Sequence, residues 1–330
     1  MKETVSKAAE GAALADGMRA EKRKRLIALI GPYIGLAVVL LFFIIVTKGA
    51  ILSKMALKTL INQYFTILIV SAGAVFIYAQ GYLDFSLGGV MALSMLLGIL
   101  WGNKVQSIWP VALICLVLPL VCSIVVCWLS ESLRVEPMLS SLCVLFICQG
   151  VLLQITTAGS FTLDKSLRIL NTPTHYLIAA VAVVLIIWLI FDHTPLGRYL
   201  KAMGGNKLAT KFSGVDVRKQ KYKAYILCGL ITGVAAFTMM QRVSTVSGAT
   251  NGTMHLDIIV TLMLGGMPTK GGTKARVGNA VAGALTLGIL SVGFAILETN
   301  IYYVQLIKGL LFLVVIGVGS RTPKGMPRAK

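Results

Sequence analysis

Side chains that could bind a metal ion or serve as nucleophiles are few in this chain, and they lie far apart. The three histidines are His175, His193 and His255, and the six cysteines are Cys115, Cys122, Cys127, Cys143, Cys148 and Cys228. The sequence contains no CxxC pair and no cysteine with a histidine at ligand spacing. We therefore predict no metal site, and the lack of a nucleophile–base pair argues against an enzyme.

A glycine-rich stretch from Gly265 to Gly272 invites comparison with a nucleotide-binding loop. In such a loop the backbone amides cradle phosphates and a lysine reaches the terminal phosphate groups. The spacing from Gly266 reaches Gly271, but Gly272 stands where the lysine should be. We therefore expect this chain to bind no cofactor itself, so that any work driven by ATP and Mg²⁺ would need a partner chain.

The composition of the chain is that of a membrane protein. Hydrophobic residues make up 57% of the sequence and charged residues 13%, which is too apolar for a water-soluble globule. A net charge of +19 would suggest a nucleic-acid partner in a soluble protein. Here the basic residues fall between apolar stretches, so we predict a lipid bilayer and no nucleic acid as the partner.

Apolar stretches with the length of a membrane-spanning helix recur along almost the whole chain. We predict spans at 26–46, 55–79, 84–102, 108–130, 138–156, 175–192, 222–242, 255–267, 275–297 and 301–318. If the N-terminus is cytoplasmic, most Lys and Arg residues fall in cytoplasmic loops, as the positive-inside rule requires. The expected fold is thus an all-α membrane protein of about ten spans, with cytoplasmic basic tails at 1–25 and 319–330 and one transmembrane domain at 26–318.

Two breaks that contain glycine interrupt the spans. In the first, AQGYLDFSLGG from Ala79 to Gly89, Asp84 or Ser86 could accept hydrogen bonds from the free amides of the next helix. Alternatively, Asp84 faces a water-filled path, because carboxylates inside membranes tend to be functional. The second break, within 256–278, follows a span too short to cross unaided. Such interruptions in both halves point to an inverted repeat of five spans plus five.

The longest polar segment runs from Thr194 to Lys223 and reads TPLGRYLKAMGGNKLATKFSGVDVRKQKYK. Its glycines could act as joints around a short surface helix. The alternative interpretation is a solvated basic loop that only fixes the topology.

Three segments together resemble the permease subunit of bacterial ATP-binding-cassette importers of the ribose and simple-sugar type, over roughly 55–318. GYLDFSLGGV resembles the GGIDLSVG signature, GRYLKAMGGNKLATKFSGV resembles the family's long loop, and LDIIVTLMLGGMPTKGGT resembles its D.IA…LGG pattern. The matching motif residues outside the loop are Gly81, Gly88, Asp257, Gly265, Gly266, Gly271 and Gly272.

The resemblance implies that 193–222 is a cytoplasmic loop that fits into a cleft of a partner ATPase. The loop residues that match the family motif are Gly197, Arg198, Ala202, Gly204, Asn206, Ala209, Ser213 and Gly214. The resemblance also implies a location in the bacterial inner membrane and a second permease subunit, either identical or paralogous. An extracytoplasmic binding protein would deliver the solute to segments 157–174 and 243–254.

Polar residues within the spans are candidates for the translocation path, since they should face the bundle interior rather than lipid. These candidates are Asn62, Gln63, Asp84, Ser86, Ser140, Ser141, Gln149 and Asn279. We expect a permease for a small polar solute, with a monosaccharide as the leading substrate. The alternatives are a permease for branched-chain amino acids or nucleosides and, in a different class, an ion-coupled secondary transporter, which would need embedded or paired charges.

Overall fold

The computed structural model describes residues 30–169, 173–250 and 252–319, and these residues are mostly helical. In chain order the helices are α1 (Ile30–Val46), α2 (Lys54–Tyr78), α3 (Ser86–Val105), α4 (Ile108–Ser132), α5 (Pro137–Thr156), α6 (Pro173–His193), α7 (Pro195–Gly205), α8 (Lys207–Phe212), α9 (Val217–Val243), α10 (Met254–Leu264), α11 (Val277–Ile296) and α12 (Ile301–Gly319). The antiparallel strands β1 (Phe161–Thr162) and β2 (Thr245–Val246) pair with each other, and 3₁₀ turns lie at Ala50–Leu52 and Lys165–Leu167. The predicted all-α class is confirmed, while the predicted tails lie outside the described residues, apart from Gly319.

Several helix starts follow directly from local sequence. The hydroxyl groups of Ser53 and Ser107 accept backbone hydrogen bonds and thereby cap α2 and α4. Pro137 and Pro195 occupy the first turn of α5 and α7, where the amide that proline lacks would have no partner in any case.

Membrane-crossing length is reached by most of the helices. Among the described residues, seven helices are long and apolar enough to cross a bilayer: α2, α3, α4, α5, α6, α9 and α11. The apolar helices α1 and α10 are shorter. With 11 residues, α10 is about 16 Å long, roughly half the thickness of the hydrocarbon core. The total number of crossings therefore stays a prediction.

Helices α2 and α3 form the centre of the bundle and are its most deeply buried apolar spans. Helix α2 packs against α6, α9, α10 and α11, and α9 lies along α4. Glycines allow the α4–α9 contact, because a Cβ atom at Gly233 would lie 2.8 Å from the carbonyl oxygen of Cys115. Small residues at such contacts let membrane helices approach closely.

The long polar segment differs from its predicted form. It folds into two helices, α7 and α8, and its last residues belong to α9, which begins at Val217 rather than near 222. The side chain of Asp216 accepts a hydrogen bond from the Lys219 amide and so starts α9 early. That amide hydrogen bond lowers the pKa of Asp216, which keeps the capping group charged.

Candidate coupling and translocation site

Three separate segments meet at one end of the bundle: the turn after α2, the loop after α10 and the C-terminal end of α7. The Gly272 amide donates a hydrogen bond to the Ala79 carbonyl oxygen at 2.9 Å. Gly204 of α7 lies against both of these residues. We call this contact, made by Ala79, Gly81, Gly204, Gly271 and Gly272, the glycine junction.

The glycine junction is built from backbone packed on backbone. A Cβ atom at Gly204 would overlap the Ala79 carbonyl oxygen and the Gly272 amide, and one at Gly271 would overlap the Ala79 carbonyl oxygen. Gly81 has a φ of 82°, and a Cβ there would lie 2.7 Å from the Lys270 carbonyl oxygen. Only glycine fits such positions without strain. At these positions the backbone of α7 therefore lies directly against the backbone of both loops.

Helices α7 and α8 form most of the predicted coupling loop, called the coupling loop below, which has one docked and one outward-facing part. In α7, Leu200 and Met203 are buried, and Lys201 forms a 2.6 Å ion pair with Asp192 at the end of α6. In α8, Leu208 and Phe212 are 67% and 86% exposed. These two residues are four positions apart, so they share one face of the helix. This small exposed apolar face is a candidate protein contact surface.

The predicted coupling residues divide between these two parts. Gly197 packs against the Phe191 carbonyl oxygen, Gly204 joins the glycine junction, and the Asn206 side chain caps α8 through the Ala209 amide at 3.0 Å. The remaining residues are exposed, namely Arg198, Ala202, Ala209, Ser213 and Gly214. Sequence reasoning missed Leu208 and Phe212, although their four-residue spacing in an otherwise polar loop was a usable signal.

A cluster of charged and aromatic side chains forms a second link between α8 and the bundle. The Lys207 ammonium donates to the Tyr82 hydroxyl at 3.0 Å, and the Lys221 ammonium lies 5.1 Å from the centre of the Tyr82 ring. Lys221 is buried and pairs with Glu131 at 2.6 Å and with Ser130 at 3.0 Å. We call these five residues the tyrosine cluster.

The protonation of Lys207 is favourable in this cluster. Partial burial lowers its pKa, but the hydrogen bond to Tyr82 and the nearby Tyr82 and Glu131 raise it above the ordinary lysine value. Lys207 is therefore a cation at neutral pH, which suits its ammonium group 5.7 Å from the centre of the Tyr82 ring.

Asp84 lies in the first break, directly before α3, and is fully buried. Its Oδ1 accepts hydrogen bonds from the amide and the hydroxyl of Ser86, at 2.8 and 2.7 Å. Ser141 of α5 accepts from the Phe85 amide at 3.0 Å and so ties this turn to α5. The capping geometry considered for Asp84 is thus present. Within the described residues, Asp84 Oδ2 and the buried Ser140 hydroxyl have no hydrogen-bond partner.

Helices α3 and α10 begin side by side next to this polar group. A Cβ atom at Gly88 would lie 2.9 Å from the His255 amide nitrogen, and the Phe85 and His255 rings are 6.2 Å apart. The motif glycine Gly88 is therefore needed for space. It lets the short helix α10 start against the first turn of α3.

The other path candidates lie in different surroundings. Gln149 of α5 is half-buried near Gly89, whereas Asn62 of α2 lies near Tyr176 and Thr238. Asn279 is half-buried at the start of α11, where its carbonyl oxygen packs on Gly265. The side chain of Gln63 lies outside the described part of the structure. The structure thus gathers Asp84, Ser86, Ser140 and Ser141 in one region and places Asn62 and Asn279 elsewhere.

A half-buried ion pair joins α10 to α12. The Lys308 ammonium lies 2.9 Å from Asp257 Oδ1, and each side chain is 18% exposed. The sequence placed both residues in spans but did not indicate that they would meet, because 51 positions separate them. The pair neutralises both charges and attaches the short helix to its neighbour.

The loop after α10 also depends on glycine outside the junction. Gly266 has a φ of 76°, and a Cβ there would lie 2.7 Å from the Pro32 ring of α1. The motif LDIIVTLMLGGMPTKGGT therefore contacts α1 as well as the glycine junction.

The apolar helices fit a multi-pass membrane protein, and the similarity of the chain to known proteins identifies it as a permease of the bacterial inner membrane. Residues 56–316 match the family described as branched-chain amino acid transport system, permease component, and the chain belongs to that family. The predicted resemblance is confirmed.

Several relatives of the chain are sugar permeases by name. The ribose import permease of Escherichia coli K12 is 30% identical over 280 residues, which cover 79% of this chain and 86% of that protein. The fructose import permease of Rhizobium meliloti is 25% identical over 304 residues, covering 87% and 84%. The L-arabinose permease of Escherichia coli K12 is 26% identical over 253 residues, covering 75% and 77%. No solved structure matches the chain significantly.

Proposed function

We propose that this chain is the membrane-spanning subunit of an ATP-driven importer and that it carries a monosaccharide. The glycine junction is the observation that supports this mechanism, because it connects an exposed docking loop to the turn that holds Asp84 through rigid backbone contacts. The substrate class follows from the relatives, whose names specify ribose, fructose and L-arabinose, all of them monosaccharides.

In the proposed topology the coupling loop and both termini are cytoplasmic and the chain crosses the membrane about ten times. The basic residues of the loop support this orientation. The predicted inverted repeat of five spans plus five is not supported by the two glycine-containing breaks. An inversion would place equivalent breaks at opposite ends of the bundle, whereas Ala79 and Gly272 of the two breaks are hydrogen-bonded to each other at one end.

A partner ATPase would bind the face of α8 that carries Leu208 and Phe212 and would supply the site for ATP and Mg²⁺. When the partner closes on ATP, α8 moves, and α7 passes the displacement to the glycine junction. The turn that contains Asp84 and the start of α3 then shift as one body, a coupling of two sites through a rigid element.

The opposite end of the bundle would receive an extracytoplasmic binding protein. Strands β1 and β2 join the two predicted docking segments, with Phe161 paired to Val246 and Thr162 to Thr245. The Asn103 side chain donates to the Thr162 carbonyl oxygen at 2.8 Å, which fixes this surface to the end of α3. The moving helix and the docking surface are therefore in direct contact.

Two further proposals complete the assembly. A second permease subunit, identical or paralogous, would close the translocation path. Asp84, Ser86, Ser140 and Ser141 would line that path, and their buried polar atoms suit a solute with hydroxyl groups.

Two other functions have a specific observation in their favour. The family description favours a branched-chain amino acid as solute. The half-buried Asp257–Lys308 pair meets the paired-charge requirement of an ion-coupled transporter, although the two charges neutralise each other.

The test is solute uptake into vesicles that contain this chain together with its ATPase and binding protein. The panel would include pentoses, hexoses, nucleosides and branched-chain amino acids. We expect uptake of one sugar that requires both ATP and the binding protein. Uptake that ignores ATP but collapses with the ion gradient would contradict the importer mechanism, and uptake of an amino acid alone would contradict the sugar assignment.

A further inference from the structure

A cavity of about 900 Å³ lies beside the coupling loop and has no part in the proposed transport steps. Its walls come from the start of α1, the last turns of α6, Lys201 of α7 and residues 273–281 around the start of α11. The volume is in the range of small-molecule sites, which are about 300–1,000 Å³. The cavity is therefore large enough to hold a ligand.

The polar side of the cavity carries an excess of positive charge. Its charged lining residues are Asp192, Lys201, Lys274 and Arg276. Lys201 and Asp192 neutralise each other in their 2.6 Å ion pair. Lys274 and Arg276 are exposed, and the described residues form no ion pair with either. The charge of this side therefore favours an anionic ligand.

The other side of the same cavity is apolar and continues onto the outer face of α6. Val184, Leu185 and Trp188 line it, and Leu185 and Trp188 are 52% and 42% exposed. Tyr33 of α1 also lines the cavity. Trp and Tyr are typical of the boundary between hydrocarbon and water. A ligand that fits both sides has an anionic head and an apolar tail.

We propose that this cavity binds the headgroup of an anionic phospholipid, with the phosphate between Lys274 and Arg276 and an acyl chain along Leu185 and Trp188 of α6. Basic pockets between membrane helices at the cytoplasmic side recognise such headgroups. The proposal rests on the topology proposed above, which places this end of the bundle at the cytoplasmic surface. Because Lys201 belongs to α7, the lipid would sit directly against the coupling loop.

The experiment is native mass spectrometry of the full-length purified chain, titrated with phosphatidylglycerol, phosphatidylcholine or inorganic phosphate. The test variant is Lys274→Gln/Arg276→Gln. The matched control is Arg218→Gln/Lys219→Gln, which removes two exposed positive charges at the start of α9, outside the cavity. A third variant, Val184→Trp, fills the apolar side and leaves every charge in place.

We expect retained phosphatidylglycerol, little phosphatidylcholine and about tenfold weaker phosphatidylglycerol binding in the test variant and in Val184→Trp, with the control unchanged. Equal weakening in both charge variants would overturn the proposal in favour of general surface attraction. If inorganic phosphate binds as tightly as phosphatidylglycerol, the proposal is also overturned, because the cavity would then be a site for a free anion.

This measurement is independent of transport. Specific lipid binding by a chain that shows no ATP-driven uptake would leave the lipid site standing and contradict only the proposed function. If the charge variants fail to fold, Val184→Trp still decides the outcome, because unchanged phosphatidylglycerol binding there would exclude the cavity as the site.

Discussion

The two links between the coupling loop and the bundle differ in their chemistry. The glycine junction joins α7 to both broken spans through backbone atoms alone, whereas the tyrosine cluster joins α8 and α9 through long charged side chains around one ring. Closely packed backbone segments cannot shift relative to each other without a clash. Lysine side chains are flexible, so they can keep their contacts while α8 moves. We infer that the junction transmits the displacement of the loop and that the cluster keeps α8 attached while it moves.

Replacing Gly204 with valine should have the largest effect, because it places side-chain atoms on the Ala79 carbonyl oxygen and the Gly272 amide. Overpacking of this kind costs about 1–3 kcal/mol and shifts the backbone. We expect Gly204→Val to lose most ATP-driven uptake while ATP hydrolysis by the partner continues. Both rates would be measured in the same vesicles.

The matched control is Gly205→Val, one residue further along α7, where an added Cβ would meet none of the described residues within 4 Å apart from its own helix and chain neighbours. Uptake should stay near the wild-type rate in that variant. If uptake falls equally in both variants, the end of α7 tolerates no side chain at either position. The effect of Gly204→Val would then not be evidence for the glycine junction.

Replacing Lys221 with methionine should have the next largest effect and should act on stability first. It leaves Glu131 in a largely buried site without its partner, a change worth about 3 kcal/mol of unfolding free energy. The double variant Lys221→Met/Glu131→Gln should recover part of that loss. Thermal unfolding in detergent measures both.

The exposed pair of Lys219 with Asp216 provides the comparison for this buried pair. Lys219→Met should cost less than about 1 kcal/mol, as surface pairs do. If Lys221→Met is as stable as Lys219→Met, the Lys221–Glu131 pair of the tyrosine cluster does not contribute to the stability of the fold.

Replacing Phe212 with alanine should weaken binding to the partner ATPase and leave the stability of the fold unchanged. The ring is exposed, so the unfolding temperature should stay unchanged, whereas binding to the ATPase should fall about tenfold if Phe212 is an interface anchor. Leu133→Ala, which removes an exposed apolar side chain next to the end of α4, is the control. If Phe212→Ala binds the ATPase as tightly as the wild type, the docking surface does not include this face of α8.

The sequence predicted the elements of this site better than their contacts. The apolar stretches predicted all the main helices, and the motifs around Gly81, Gly204 and Gly271 predicted that these glycines matter. The motifs could not predict that the three glycines touch, because such contacts depend on how distant helices pack. The same holds for Lys207 with Tyr82, which are 125 positions apart.

Helix boundaries in the polar loop were the least predictable part. The first turns of α9 carry basic residues that read as loop, yet Lys221 is buried there because Glu131 and Ser130 satisfy its charge. An ion pair of this kind allows a charged residue to be buried in a helix. The sequence cannot predict the pair, because it depends on how α4 and α9 pack together.

The smallest effect is expected at Gly214, and it separates two reasons for requiring glycine. Gly214 has a φ of 84°, and an added Cβ there would meet none of the described residues beyond its chain neighbours, whereas a Cβ at Gly204 would clash. Gly214→Ala should therefore cost only about 1 kcal/mol of backbone strain, and Gly214→Asn should cost less, since Asn tolerates the left-handed conformation. At Gly204 the order should reverse, because the larger Asn side chain adds to the clash. Unfolding temperatures of the four variants test this, and the same order at both positions would show that conformation rather than close packing governs the glycine junction.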